Sequence, residues 1–129
     1  MVLAGRWETQ RDGMVYRGKH KGEEPGPDHA TMRYHARELY SVMNLVRGHA
    51  TQLYIKQDGN YLTTANKGSD VKIDAQGRSF LEIREPRLYY LVQNPEFGSH
   101  QVELFPAADG LMINSFTFGN SCQTEFDRL

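Results

Sequence analysis

Tyr54, Tyr61 and Tyr89, with Arg84 and Arg87, are the residues whose types and placing suit a recognition chemistry. The chain holds seven tyrosines, six phenylalanines and one tryptophan, so flat aromatic faces are its richest chemical resource. A pyranose ring offers an apolar C–H face to stack and hydroxyls to hydrogen-bond. An aromatic wall with a polar rim matches both needs. Tyr54 and Tyr89 fall out of phase with the apolar positions of their segments, and Tyr61 follows a turn, so these three are the expected exposed rings. Arg84 and Arg87 flank Pro86 and could supply donor forks. The competing reading is structural: tyrosines often pack half-buried on a sheet, with arginine stems laid over them.

Other chemistries find less support. His20, His29, His35, His49 and His100 include no pair at the i, i+2 or i, i+4 spacing of a metal site on one element, and no cysteine joins them. Asp70 and Asp74 near Gly77 do not fit an EF-hand loop and are expected to make turns and solvate a strand end. No Gly-x-Ser-x-Gly elbow frames any of the serines at 41, 69, 79, 99, 115 and 121. The Glu23-Glu24 pair sits in a Gly- and Pro-rich loop, and a glycosidase needs its two carboxylates held across a cleft. Cys122 stands alone, with no base or cation beside it in "GNSCQTEF" to lower its pKa. "DGN" and "GNS" read as turns and make no phosphate cradle. The expectation is a non-catalytic domain without cofactor or metal.

Composition narrows the partners. The 129 residues fit one domain that can bury a core without disulfide or metal. With 39% hydrophobic and 24% charged residues, the balance is that of an ordinary globular protein. A net charge of −1 and a pI near 6.5 leave no basic footprint for nucleic acid or an anionic membrane. No apolar run approaches the roughly 20 residues of a membrane helix. "MVLAGRW" lacks the n- and h-regions of a signal peptide. It opens abruptly in what reads as a strand, which suggests a domain taken from a longer protein.

The elements that would position the tyrosines are short strands. Turn signals recur at Asp12-Gly13, Asp58-Gly59, Gln76-Gly77, Asn94-Pro95, Asp109-Gly110 and Gly119-Asn120. Between them apolar residues alternate, the period of half-buried strands. The alternation assigns Met32, Tyr34, Leu53, Ile55, Val71, Ile73, Leu81, Ile83, Val102, Leu104, Phe116 and Phe118 to inner faces. Beyond Pro86, which marks a bend or an edge, it assigns Leu88, Tyr90 and Val92 inward and Arg87, Tyr89, Leu91 and Gln93 outward. Trp7 is expected to plug the core. Residues 31–36 and 40–46 read as two strands meeting at a bend near Arg37-Glu38, with room for one helical turn. Residues 18–29 read as a surface loop. The predicted fold is an all-β, antiparallel β-sandwich of jelly-roll type, one domain over residues 1–129.

Several stretches in order resemble one family. They are "AGRW" (4–7), "TMRYHARELYSVMN" (31–44), "LYIKQDG" (53–59), "GSDVKIDAQGRSFLEIREPRLYYLV" (68–92) and "INSFTFG" (113–119). Together they are similar to the β-sandwich domain found C-terminal to a thioredoxin-like or peroxiredoxin-like domain in bacterial thiol-redox proteins, including the DipZ type. The residues that carry the likeness are Trp7; Tyr34 to Leu39; Asp58-Gly59; Asp70, Val71 and Asp74; Arg87, Leu88, Tyr89, Leu91 and Val92; and Phe116 to Gly119. Glu38 stands where that family more often has aspartate, and no redox domain lies within these residues. The resemblance implies an accessory module whose layout is like that of carbohydrate-binding modules. Its implied partners are a sugar and its own N-terminal thioredoxin-like domain. The alternative is an interaction domain that packs on the redox domain or mediates dimerisation and binds no sugar. The compartment would be extracytoplasmic for a DipZ-like parent and cytoplasmic otherwise.

Overall fold

A computed structural model describes residues 1–19, 24–46 and 50–119. The chain there forms strands β1 (Val2–Ala4), β2 (Trp7–Gln10), β3 (Gly13–Tyr16), β4 (His29–Leu45), β5 (Thr51–Gln57), β6 (Asn60–Tyr61), β7 (Lys72–Ile73), β8 (Ser79–Ile83), β9 (Arg87–Pro106) and β10 (Leu111–Gly119). No helix forms among the described residues, and so none there could cross a membrane. All pairings are antiparallel. The path runs β2-β3-β10-β4-β9-β5-β8-β7, with β1 on β4 and β6 on β5.

Two long strands turn this single path into a sandwich. Residues 30–36 of β4 pair with 98–104 of β9, while 38–43 pair with 87–93. Between these arms Arg37 faces the four residues Asn94 to Phe97. Such an insertion breaks the ladder and bends both strands. One arm carries β1, β5, β8 and β7; the other carries β10, β3 and β2. The core lies between them. Leu53, Ile55, Leu81, Ile83, Val102 and Leu104 meet Leu39, Met43, Tyr89, Leu91, Val92 and Ile113. Each fully buried Leu or Ile is worth about 1.5–3 kcal/mol relative to exposure, enough to hold the register of its strand.

The expected β-sandwich is therefore what forms, and much of the alternation survives. Tyr34, Leu53, Ile55, Val71, Leu81, Ile83, Val102 and Leu104 are buried. Met32, Trp7 and Phe116 are only partly buried, packed against the core, and the Trp7 indole donates to Ala4 O at 3.0 Å. Bulges overturn the rest. Leu39 pairs with Val92 and Tyr40 with Tyr90, so Leu91 has no partner of its own in β4. That extra residue reverses the phase upstream. Leu88 and Tyr90 face solvent at 38% and 44% exposure, while Tyr89 and Leu91 are buried. The expected bend at Arg37-Glu38 exists, but within one 17-residue strand and with no helical turn. Phe118, near the end of β10, is half exposed and stacks on Tyr34 with centroids 6.0 Å apart. Ile73 is exposed at 37% because β7 is a two-residue edge strand. His20 and Glu23 of the 18–29 loop, His49, Asn120 of the Gly119-Asn120 turn with the tail beyond it, and Cys122 lie outside the described residues.

Candidate functional site

The Asp58-Gly59 turn joins β5 to β6 with Gln57 opposite Asn60. Both turn residues take positive φ, +53° and +86°, the requirement of a two-residue hairpin that follows strand twist. Asp58 and Gly59 tolerate that geometry, so the sequence bends here and nowhere else in the hairpin. The hairpin sets Tyr61 opposite Lys56, whose ammonium sits 4.9 Å from the Tyr61 ring centre. Ser79 fastens the chain just beyond. Its hydroxyl donates to Ile55 O at 2.6 Å and accepts from Leu62 N at 2.9 Å. The next turn is closed by Asn66, whose side-chain oxygen accepts from Thr63 N at 2.8 Å and whose carbonyl accepts from Gln93 N.

The four-residue bulge of β9 supplies the facing wall. It is held from inside by a closed ring of buried side chains. Tyr34 Oη donates to Gln57 Oε1 at 2.5 Å; Gln57 Nε2 donates to Asn94 Oδ1 at 2.7 Å; Asn94 Nδ2 donates to Tyr34 Oη at 3.0 Å. Each member gives one hydrogen bond and takes one, so burial leaves none of these groups orphaned. Burial pushes the Tyr34 hydroxyl up to about 12. Arg37 Nε donates to Asn94 O at 3.0 Å from the other side. With Asn94 pinned, Pro95, Glu96 and Phe97 project outward. Phe97 is 51% exposed and meets His35 edge-on, 4.3 Å between ring centres.

Two adjoining hollows result, and they share Asp58 and His100. The larger, of about 830 Å³, lies among Tyr61, Asn66, Asn94, Glu96, Phe97 and His100. The smaller, of about 660 Å³, lies among Arg33, Tyr34, His35, Ser99 and Gln101. His100 Nδ1 is 2.7 Å from Asp58 Oδ2, and Asp58 Oδ1 accepts from Gln101 N at 2.9 Å. Desolvation pushes the Asp58 carboxyl up, but the hydrogen bonds from His100 and Gln101 outweigh it and leave the group below the usual carboxylate range. His35 Nδ1 lies 2.6 Å from Ser99 Oγ. The arrangement presents aromatic faces beside donors and acceptors already fixed in place. It suits noncovalent recognition of a polar ligand with an apolar face.

Of the five residues expected to bind, only Tyr61 lines either hollow. Tyr54 is 2% exposed because Phe80 stands opposite it in β8 and the Arg78 guanidinium lies 5.5 Å from its ring centre. Tyr89 is buried by the phase reversal at Leu91; its hydroxyl donates to Glu85 O at 2.7 Å. Arg87 forks onto both oxygens of Asp70, at 3.0 and 3.3 Å, and its guanidinium stacks 4.0 Å from the Tyr89 ring centre. Desolvation pushes the Asp70 carboxyl up, but the hydrogen bonds from Arg87 and the Tyr90 amide outweigh it and leave the group below the usual carboxylate range, while the bond to Asp70 raises Arg87. Arg84 is exposed and paired with Glu82. Arg87 over Tyr89 and Arg78 over Tyr54 are thus arginine stems laid on tyrosines, while Arg84 lies on no ring. Asp74 likewise closes a turn, accepting from the Gln76 and Arg78 amides. Among the described residues no cluster of three His, Cys, Asp or Glu is placed to hold a metal ion. Phe97, Glu96, Asn94, Asp58 and His100 were not among the expected residues. Their signals were Asp58-Gly59 and Asn94-Pro95, read there only as turns.

The family model described as thioredoxin-like C-terminal domain matches residues 1–119. The chain belongs to that family. No curated protein matches it. Among solved structures it is similar to a family two carbohydrate esterase from Clostridium thermocellum in complex with cellohexaose, at 14% identity and a TM-score of 0.64. That likeness covers 92% of this chain and 30% of the esterase chain. A family two carbohydrate esterase from Cellvibrio japonicus is similar at 15% identity and a TM-score of 0.62, over 91% of this chain and 30% of that one. The chain thus spans under a third of these structures, and at such identities the likeness is one of fold.

Proposed function

We propose that this domain is a non-catalytic, carbohydrate-binding accessory module of jelly-roll layout, belonging to a thiol-redox protein, and that it holds sugar between Tyr61 and Phe97. The observation that carries this reading is the larger hollow itself. Two aromatic side chains from separate elements border it, and Asp58, Asn66 and His100 supply polar atoms around them. Its volume of about 830 Å³ lies within the usual range for a small-molecule site. The fold likeness to esterases, one of them solved with cellohexaose, supports the same reading. The family description supports a thioredoxin-like partner domain in the parent protein.

Isothermal titration with cellohexaose tests it. Tyr61→Ala and Phe97→Ala should each weaken binding at least tenfold, about 1.4 kcal/mol, while Tyr90→Ala should leave it unchanged. Equal binding by wild type and both aromatic variants would place any sugar elsewhere.

A second reading draws on the outer face of the other layer. Tyr40 and Tyr90 pack there with ring centres 4.8 Å apart, and Leu88 is 38% exposed beside them. This strip supports an interaction domain that docks on the redox domain or on a second copy. In that case Tyr90 and Leu88 should gain hydrogen-exchange protection only in the longer protein.

A further inference from the structure

The charge around the larger hollow points to a class of sugar, and this step rests on the reading of that hollow as a sugar site. Its titratable lining consists of Asp58, Glu96, His100 and Tyr61, and no lysine or arginine lines it. Asp58 is a carboxylate at neutral pH, fixed by His100 and by the Gln101 amide. Glu96 projects on the bulge beside Phe97 and is exposed. Lys56 does not line the hollow. Its ammonium lies 4.9 and 5.6 Å from the ring centres of Tyr61 and Phe105. Arg33 and His35 belong to the smaller hollow, beyond the Asp58–His100 pair.

We infer that the cleft selects neutral, hydroxyl-rich sugars and rejects uronic acids. A neutral ring laid between Tyr61 and Phe97 finds in Asp58 and Glu96 two carboxylates that accept hydrogen bonds from its hydroxyls, the charge-assisted kind that is strongest. A ring bearing its own carboxylate meets like charge from both and finds no lining arginine or lysine to pair with. Discrimination of this origin must fade with ionic strength, because the Debye length falls from roughly 10 Å at 0.1 M to 3 Å at 1 M. Stacking on aromatic rings has no such dependence.

The experiment is titration of the whole chain with cellohexaose and with hexagalacturonate. At about 0.05 M salt cellohexaose should bind at least tenfold more tightly. The ratio should shrink at 1 M salt, and Glu96→Lys should shrink it at low salt, with Glu96→Gln between. Tight binding of hexagalacturonate by the wild type would overturn the charge inference and leave the sugar site standing. A ratio indifferent to salt and to Glu96→Lys would also overturn it, by tracing the preference to shape. If neither oligosaccharide binds, the sugar reading falls and the inference falls with it.

Discussion

Replacing Gln57 with leucine tests whether the buried ring of Tyr34, Gln57 and Asn94 holds the bulge that forms the cleft wall. Gln57 is 6% exposed, Tyr34 6% and Asn94 3%, so a lost partner is poorly replaced by water. Gln57→Leu deletes two hydrogen bonds, one at 2.5 Å and one at 2.7 Å. Each is worth about 0.5–1.5 kcal/mol net, and leaving the Asn94 carbonyl oxygen buried without its donor adds about 1–3 kcal/mol. The expected loss is about 2–6 kcal/mol, a large share of the roughly 5–15 kcal/mol of a domain. At about 4 °C per kcal/mol for a chain of this size, Tm should fall by roughly 8–24 °C. Thermal and urea unfolding measure both. The triple replacement Tyr34→Phe, Gln57→Leu and Asn94→Leu removes every partner together and leaves none orphaned. It should therefore cost well under the sum of the three single changes. A Gln57→Leu variant within about 0.5 kcal/mol of wild type, or a triple equal to the sum, would show that the three groups act independently and refute the argument from closure.

Three further outcomes follow from the same structure. Tyr34 has its hydroxyl pushed up to about 12 by burial, so folding favours its protonated form. That contribution is intact below the unfolded value near 10 and is lost as pH rises toward 12, so stability should decline across that window and Tyr34→Phe should remove part of the slope in pH-dependent denaturation. Tyr89→Ala should cost about 3–5 kcal/mol, the range for a buried aromatic, whereas Leu88→Ala should cost under 1 kcal/mol; equal losses in urea melts would restore the opposite phase. Gly59 sits at a φ of +86° with open space around it, so Gly59→Ala should lose about 1 kcal/mol through backbone strain, seen as a lower Tm with the native fold retained.

The sandwich was legible in the sequence because alternation is local: Leu53 and Ile55, Leu81 and Ile83, Val102 and Leu104 each bury the face their period assigns. The site was not, because bulges are relations between strands. Nothing in "RLYYLVQN" marks Leu91 as the residue without a partner. Only β4 reveals it, by pairing Leu39 with Val92 and Tyr40 with Tyr90. One unpaired residue exchanges the two faces of everything upstream. It sends Tyr89 under the Arg87 guanidinium and turns Tyr90 outward. The same logic built the cleft. Asn94-Pro95 looks like the end of a strand, yet the ladder resumes at Gly98 opposite Ala36. Tyr61 borders the larger hollow, as a residue expected from its turn can, because its position depends on Asp58-Gly59, which two adjacent residues specify. Phe97 depends on a buried ring whose members lie 23, 37 and 60 positions apart along the chain. A residue can therefore be expected from sequence when its support is local. Here the wall of the cleft has its support in pairings that only the folded sheet brings into being.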